Sequence, residues 1–237
     1  TKIQSQHEQI LQSANIRPDF TEPVSHELKT PLTAISGYAE LMESGMANEK
    51  DMKHFSGEIR KSAARLLSLI NDIIKLSELD SGNVKDMQEI VNLSEIAEES
   101  MEMLRLQAQK NHITIQYQGR PCANVRIGKE LAQELVYNLI QNAIRYNKPY
   151  GFVYVRIKKA EGMVVFEVQD TGIGIAREHQ DRVFERFYRV DKSRSKQLGG
   201  TGLGLAIVKH ICTVTDGELS LESEPDKGTI ITVKWKE

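Results

Sequence analysis

Only two cysteines, one tryptophan and no long apolar run occur in these 237 residues, and each scarcity closes off a class of protein. Cys122 and Cys212 lie far apart and match no metal-ligand or redox spacing, which argues against a disulfide scaffold and a zinc ribbon, and both are expected to be reduced fillers in a cytosolic protein. No stretch approaches the roughly 18 unbroken apolar residues of a membrane span, and no charged-then-apolar signal peptide opens the chain. Charge of one sign is also missing. With 31 Lys and Arg against 33 Asp and Glu the formal net charge is −2, so no basic field announces a nucleic-acid partner. Apolar residues make up 40% of the chain, enough at this length for the cores of two ordinary domains.

The polar, Gln-rich opening carries Ile3, Ile10 and Ala14 at helical or heptad-like intervals. Residues 1–18 are expected to be a linker or signalling helix cut from a longer one, a processed terminus being the alternative, with any membrane attachment made through a region preceding Thr1. The first long helix should run to about Glu43, where Ser44-Gly45-Met46-Ala47-Asn48 supplies stop signals. A second should start between Asn48 and Asp51 and run to about Asp80, with Phe55, Ile59, Ser62, Leu66, Ile70 and Ile73 as its apolar stripe. An antiparallel pair cannot bury both stripes alone, whereas two copies form a four-helix bundle, so residues 19–82 predict a homodimer. Ser81-Gly82-Asn83 should end the second helix.

Over residues 83–237 the pattern changes. Helices are expected at Leu93–Leu106, Lys129–Tyr146 and Gly204–Thr215, and strands at Ile113–Tyr117, Val153–Ile157, Val164–Val168, Glu218–Glu222 and Gly228–Trp235. Segregated helices and largely antiparallel strands make this an α/β sandwich rather than a doubly wound sheet.

In Ser25-His26-Glu27-Leu28-Lys29-Thr30-Pro31 the histidine sits on the wrong side of its helix for a core residue. Val24, Leu28, Leu32, Ile35, Ala39 and Met42 draw one apolar stripe, and His26 points about 165° from its centre. Thr30 lies one turn below on the same face and Glu27 is adjacent, so an imidazole, a carboxylate and a hydroxyl come within mutual reach. An ordinary solvated face would look the same in isolation. Pro23, one turn above, has no amide hydrogen and its ring opposes the carbonyl of Asp19, which predicts a bend between Asp19 and Val24.

Four further segments suggest a nucleotide site. The helix from Lys129 gathers Val136, Leu139, Ile140, Ala143 and Ile144 on one side and Asn138, Asn142, Arg145 and Tyr146 on the other. Asn disfavours helix interiors, so two of them there need a reason, and amide oxygens for Mg²⁺, a guanidinium for phosphate and a ring for a base supply one. A plain polar face is the alternative. Asp170-Thr171-Gly172-Ile173-Gly174 places a carboxylate at a strand end beside close-approach glycines, suited to an adenine amino group. Gly199-Gly200-Thr201-Gly202-Leu203-Gly204 opens an apolar helix, where free amides suit a polyphosphate. Between them, Phe184 and Phe187 precede a basic stretch with Lys192 and Arg194 that reads either as a lid over phosphates or as a surface loop.

Taken together the chain resembles the cytoplasmic catalytic core of a two-component sensor histidine kinase. His26 and its neighbours match the H box, Asn138–Tyr146 the N box, Asp170–Gly174 the first glycine box, Phe184–Phe187 the F box and Gly200–Gly204 the second glycine box, in family order. The resemblance implies a dimeric helical-hairpin phosphotransfer domain followed by a Bergerat-type ATPase sandwich. It implies ATP and Mg²⁺ as cofactors, the metal on Asn138 and Asn142, and nucleotide contacts from Arg145, Tyr146, Asp170, Gly172, Gly174, Phe184, Phe187, Lys192, Arg194, Gly200, Thr201, Gly202, Leu203 and Gly204. It further implies His26 as phosphoacceptor, Glu27 as the carboxylate that orients or takes its other ring proton, and Thr30 as the residue that orients water when a response-regulator receiver domain is dephosphorylated. The location implied is the cytoplasmic portion of a membrane-anchored bacterial sensor. A generic ATPase of the same fold would lack the His26 constellation, and a binding scaffold would show a broken box.

Overall fold

The computed structural model describes residues 18–45, 47–80, 89–120, 122–191 and 200–236. The opening helix over residues 1–17, the stop at Ser81-Gly82-Asn83, and Lys192 and Arg194 therefore lie outside the described residues. The chain divides into two compact units, Thr1–Ser77 and Glu78–Glu237.

The first unit is built on α1 (Pro18–Glu43) and α2 (Glu49–Asp80). α1 stops where expected, with Ser44 N donating to Glu40 O at 2.9 Å. α2 starts on a reciprocal cap: Asp51 N donates to Asn48 Oδ1 at 3.0 Å and Asn48 N to Asp51 Oδ2 at 3.3 Å, satisfying two amides that the helix itself leaves unmet. The two helices pair antiparallel, as the stripes required. Glu27 meets Arg65 near one end, and Tyr38 packs against Phe55 in a tilted arrangement with ring centroids 5.4 Å apart nearer the connecting turn. Val24 and Leu28 are buried, Leu32, Ile35 and Met42 half-buried, and Ala39 is exposed, so the stripe loses cover toward the turn. α1 runs unbroken through Pro23 and Pro31. The bend expected between Asp19 and Val24 thus produces no break in the helix, for Pro23 is exposed and water can serve the carbonyl that loses its donor.

The second unit is a five-stranded sheet, β2 (Thr114–Gln118), β4 (Phe152–Ala160), β5 (Met163–Asp170), β7 (Gly228–Lys236) and β6 (Glu218–Glu224), in the order β2-β4-β5-β7-β6. β2 and β4 are parallel and every other neighbouring pair is antiparallel. Against it pack α3 (Leu93–Lys110), α4 (Lys129–Arg145) and α6 (Gly204–Val214), with α4 touching both other helices. A short α5 (Arg177–Gln180) lies beside β6. The sheet follows from period-two burial: Val153, Val155 and Ile157 on β4 lie opposite Asp170, Val168 and Phe166 on β5, and all point to the helices. α3 runs one turn beyond its expected end at Leu106, because no stop signal intervenes before Asn111. A two-stranded ribbon of β1 (Glu89–Asn92) and β3 (Asn124–Ile127) had no counterpart among the expected strands. Its function is local: the last residue of β1, Asn92, caps α3 by accepting from Ser94 N at 3.2 Å.

Candidate active site

The inward phase of β5, Val164, Phe166 and Val168, continues by one more step to Asp170, which puts a carboxylate where the pattern otherwise puts a core side chain. Asp170 is 8% exposed, and this burial pushes its pKa up to about 6, against the downward pull of the backbone amides of Gly172 and Thr229. Gly172 N donates to Asp170 Oδ1 at 2.8 Å, and Ile173 N donates to Tyr146 O at 3.1 Å. The turn after β5 is therefore stitched to the end of α4. A Cβ at position 172 would stand 2.3 Å from Tyr146 O, so only glycine permits that approach. A cleft of about 230 Å³ opens beside the turn, lined by Arg145, Tyr146 and Ile173 together with Asn111, Ile113 and Pro149, and not by Asn138, Asn142, Asp170 or Gly204.

One turn apart on α4, Asn138 and Asn142 both face the start of α6. A Cβ at position 204 would lie 2.7 Å from Asn138 Oδ1 and 3.9 Å from Asn142 Nδ2. Asn138 is buried, and its amide donates from Nδ2 to Glu134 Oε1 at 2.6 Å and to Glu134 O at 2.9 Å. With the NH₂ group so engaged, the carbonyl oxygen is turned toward the glycine loop. Arg145 shares this helix, donating from Nη2 to Gln141 Oε1 at 3.2 Å, while its buried Nε has no partner among the described residues. An unmet buried guanidinium N–H on the same helix, one turn beyond Asn142, fits an anionic ligand.

The F-box segment is tied to the second glycine box. Phe187 N donates to Gly202 O at 2.9 Å and Arg189 Nη2 to Thr201 O at 2.6 Å, while Thr201 Oγ1 accepts from Leu203 N at 3.3 Å. Phe184 and Phe187 are half-buried; Gly200, Thr201 and Leu203 are buried. α6 begins at Gly204 without a side-chain cap, leaving its first amides to a ligand or water. The structure thus brings Asn138, Asn142, Arg145, Tyr146, Asp170, Gly172, Phe187, Gly202 and Gly204 into one linked cluster. Glu134, Arg189 and Thr229 belong to the cluster but not to the expected set. Spacing alone signalled Glu134, since a carboxylate four residues before an asparagine lies on the same helix face.

In the first unit His26 is exposed, as its helical phase required, with Glu27 and Thr30 half-buried beside it. Thr30 Oγ1 donates to His26 O at 3.3 Å, which spends the hydroxyl proton on the backbone and keeps the oxygen as an acceptor.

Among the described residues no three His, Cys, Asp or Glu side chains gather to hold a metal ion. Hard carboxamide oxygens on Asn138 and Asn142 nevertheless suit Mg²⁺ shared with phosphate oxygens. The Gly204→Ala variant tests the arrangement: its methyl must displace the Asn138 amide, so affinity for Mg-ADP is expected to fall about tenfold or more while the melting temperature moves little, as read by calorimetry and circular dichroism.

Residues 17–82 match the His Kinase A (phospho-acceptor) domain, and residues 128–237 match the histidine kinase-, DNA gyrase B- and HSP90-like ATPase family. The chain belongs to the two-component sensor histidine kinases. Among curated relatives, this kinase core is 36% identical over 221 residues to the sensor-like histidine kinase SenX3 of Mycolicibacterium smegmatis, covering 93% of the chain and 58% of that protein. It is 34% identical to the phosphate regulon sensor protein PhoR of Pseudomonas aeruginosa, covering 94% of the chain and 51% of that protein. The kinase core therefore spans only a little over half of these relatives. Solved structures with the same fold include the histidine kinase AdeS of Acinetobacter baumannii, with a TM-score of 0.70 at 22% identity over 89% of this chain and 97% of that one. The histidine kinase ThkA, solved in complex with the response regulator protein TrrA, aligns with a TM-score of 0.74 at 19% identity over 98% of this chain and 65% of its own. No helix of the described residues is long and apolar enough to cross a membrane.

Proposed function

We propose that the chain is an ATP-dependent protein-histidine kinase that phosphorylates His26 and passes the phosphoryl group to an aspartate on the receiver domain of a response regulator. The observation that carries this reading is the solvent-facing His26, with a carboxylate beside it, in a chain that also builds a buried Asp170 and paired asparagines at a glycine loop. A plain ATPase would need the second set and not the first.

A neutral ring nitrogen of His26 attacks the γ-phosphorus in line as the bond to the ADP oxygen breaks, and ADP leaves with the bonding electrons. Glu27 holds or takes the proton on the other ring nitrogen, which keeps the attacking nitrogen's lone pair available. Asp170 selects adenine by accepting from its amino group. Arg145 and the amides at the start of α6 bind phosphate oxygens, and Asn138 and Asn142 would hold Mg²⁺, which supplies charge neutralisation on the transferring group. Lys192 and Arg194, in the basic stretch that follows Phe187, would extend the same role.

The unit would act as a homodimer, with Leu41, Leu67 and Ile74, at 46%, 61% and 50% exposed, among the apolar side chains a second copy can cover. Its place is the cytoplasmic side of a membrane-anchored bacterial sensor, as it is for the family. Incubation with γ-labelled ATP tests the reading: an acid-labile, base-stable phosphate on the protein is expected, and an acid-stable one, or none with nucleotide bound, would overturn it.

Thr30 serves the reverse flow of phosphate. Its oxygen accepts a hydrogen bond from the water that attacks the regulator's phosphoaspartate. Thr30→Ala is expected to leave autophosphorylation within about twofold and to slow regulator dephosphorylation about tenfold or more, measured with purified phosphorylated regulator. Equal loss of both activities would point to a folding defect instead.

A further inference from the structure

The carboxylate beside His26 is held by a partner distant in sequence. Arg65, midway along α2, donates from Nη2 to Glu27 Oε2 at 3.3 Å across the hairpin, and the two side chains are only 17% and 16% exposed. Such a pair is a poor way to tie two helices. Withdrawing both charges from water is costly, and apolar side chains of similar volume commonly hold the same interface as well or better. Its neighbours on α2, Leu66 and Leu69, already supply apolar packing. What the cation adds is geometry: a fixed donor that holds one carboxylate oxygen in place.

We infer that Arg65 is a positioning residue for phosphoryl transfer, acting through Glu27. With Oε2 anchored, the Glu27 carboxylate is presented in one orientation to the ring nitrogen of His26 that does not attack. As the N–P bond forms and ADP departs, the imidazole becomes cationic and its remaining N–H meets a carboxylate already in place. Without Arg65 that carboxylate must be found among many rotamers at each turnover, so the chemical step slows while nucleotide binding, a property of the other unit, does not change. This rests on the reading of His26 as phosphoacceptor and Glu27 as its orienting carboxylate.

A double-mutant cycle on autophosphorylation tests the inference, using Arg65→Gln, Arg65→Lys, Glu27→Gln and the double variant Glu27→Gln/Arg65→Gln. Arg65→Gln is expected to lower kcat about tenfold or more with KM for ATP within about twofold, and Arg65→Lys to recover most of the loss. The double variant should be no slower than Glu27→Gln alone, because the residue through which Arg65 acts is already gone. It also buries no unpaired charge, so it remains informative if Arg65→Gln fails to fold. Multiplying losses in the double variant, a rise in KM at unchanged kcat, or a wild-type rate in Arg65→Gln would each overturn the role of Arg65. A wild-type rate in Glu27→Gln would overturn the role of Glu27 and that of Arg65 with it. Phosphate incorporated without His26 would instead overturn the functional reading.

Discussion

His26→Ala is expected to reduce phosphoryl incorporation from labelled ATP to background, a loss of at least about 10³-fold, while affinity for Mg-ADP stays within about twofold of the parent. The two halves of this expectation come from separate observations. His26 is exposed on α1 and, among the described residues, is engaged only through its backbone carbonyl, which accepts from Thr30, so removing the imidazole leaves no cavity and no unmet polar group there. The proposed nucleotide groups, Asn138, Asp170 and Gly204, all lie within the second unit, whose core includes Phe166, Leu139, Ile140 and Ile207. The proposed nucleophile and the proposed ATP site can therefore be damaged independently. A labelled-ATP assay with parallel calorimetry checks both. Incorporation near the parent level would remove His26 from the chemistry, and a matched loss of nucleotide affinity would mean that the substitution acts on the fold.

Much of this architecture was legible in the chain because its signals are local. The Asn48–Asp51 cap lies within four consecutive residues, the asparagine pair sits one helical turn apart, and the even phase of β5 ends on Asp170. Each needs only the period of its own element. The β1–β3 ribbon was not legible: its strands have four residues each, and Ile90, the apolar residue that would strengthen an alternating pattern, is 67% exposed. Such short strands exist because a distant partner pairs with them, which no window along one segment can show. The same limit hid Arg65, whose partner is 38 positions away. It also hid Arg189, whose bond to Thr201 O spans the basic stretch that contains Lys192 and Arg194. Glu134 went unread for a different reason. A glutamate four residues before an asparagine is an ordinary spacing, and what sets it apart is that its carboxylate and its backbone carbonyl both accept from Asn138 Nδ2.

Asp170→Asn is expected to uncouple two properties that usually fall together: nucleotide affinity should drop about 10²-fold or more, yet the nucleotide-free domain should melt higher at pH 7–8. Burial raises the Asp170 pKa from its ordinary 3.8 to about 6, so the folded state binds this proton more tightly than the unfolded chain. A group shifted upward contributes its stability in full below about pH 4 and loses it as pH climbs through about 6, leaving a buried carboxylate that works against folding near neutrality. An amide removes that charge. The gain is on the order of 1–3 kcal/mol, reduced because the new NH₂ group must face one of the two backbone donors, Gly172 and Thr229, that now serve the carboxylate. Binding as proposed reverses the preference. An adenine amino group donating to Asp170 would favour the ionised carboxylate, so affinity should weaken as pH falls below about 6 while nucleotide binding near that pH releases protons. Melting curves and calorimetry between pH 5 and 8, in buffers of different ionisation enthalpy, read both effects. The parent should show affinity rising with pH through about 6 and apo stability falling over the same interval, and Asp170→Asn should flatten both curves. A variant that binds ADP as tightly as the parent would remove Asp170 from adenine recognition, and one that melts lower at pH 8 would show that the carboxylate's hydrogen bonds outweigh the cost of burying its charge.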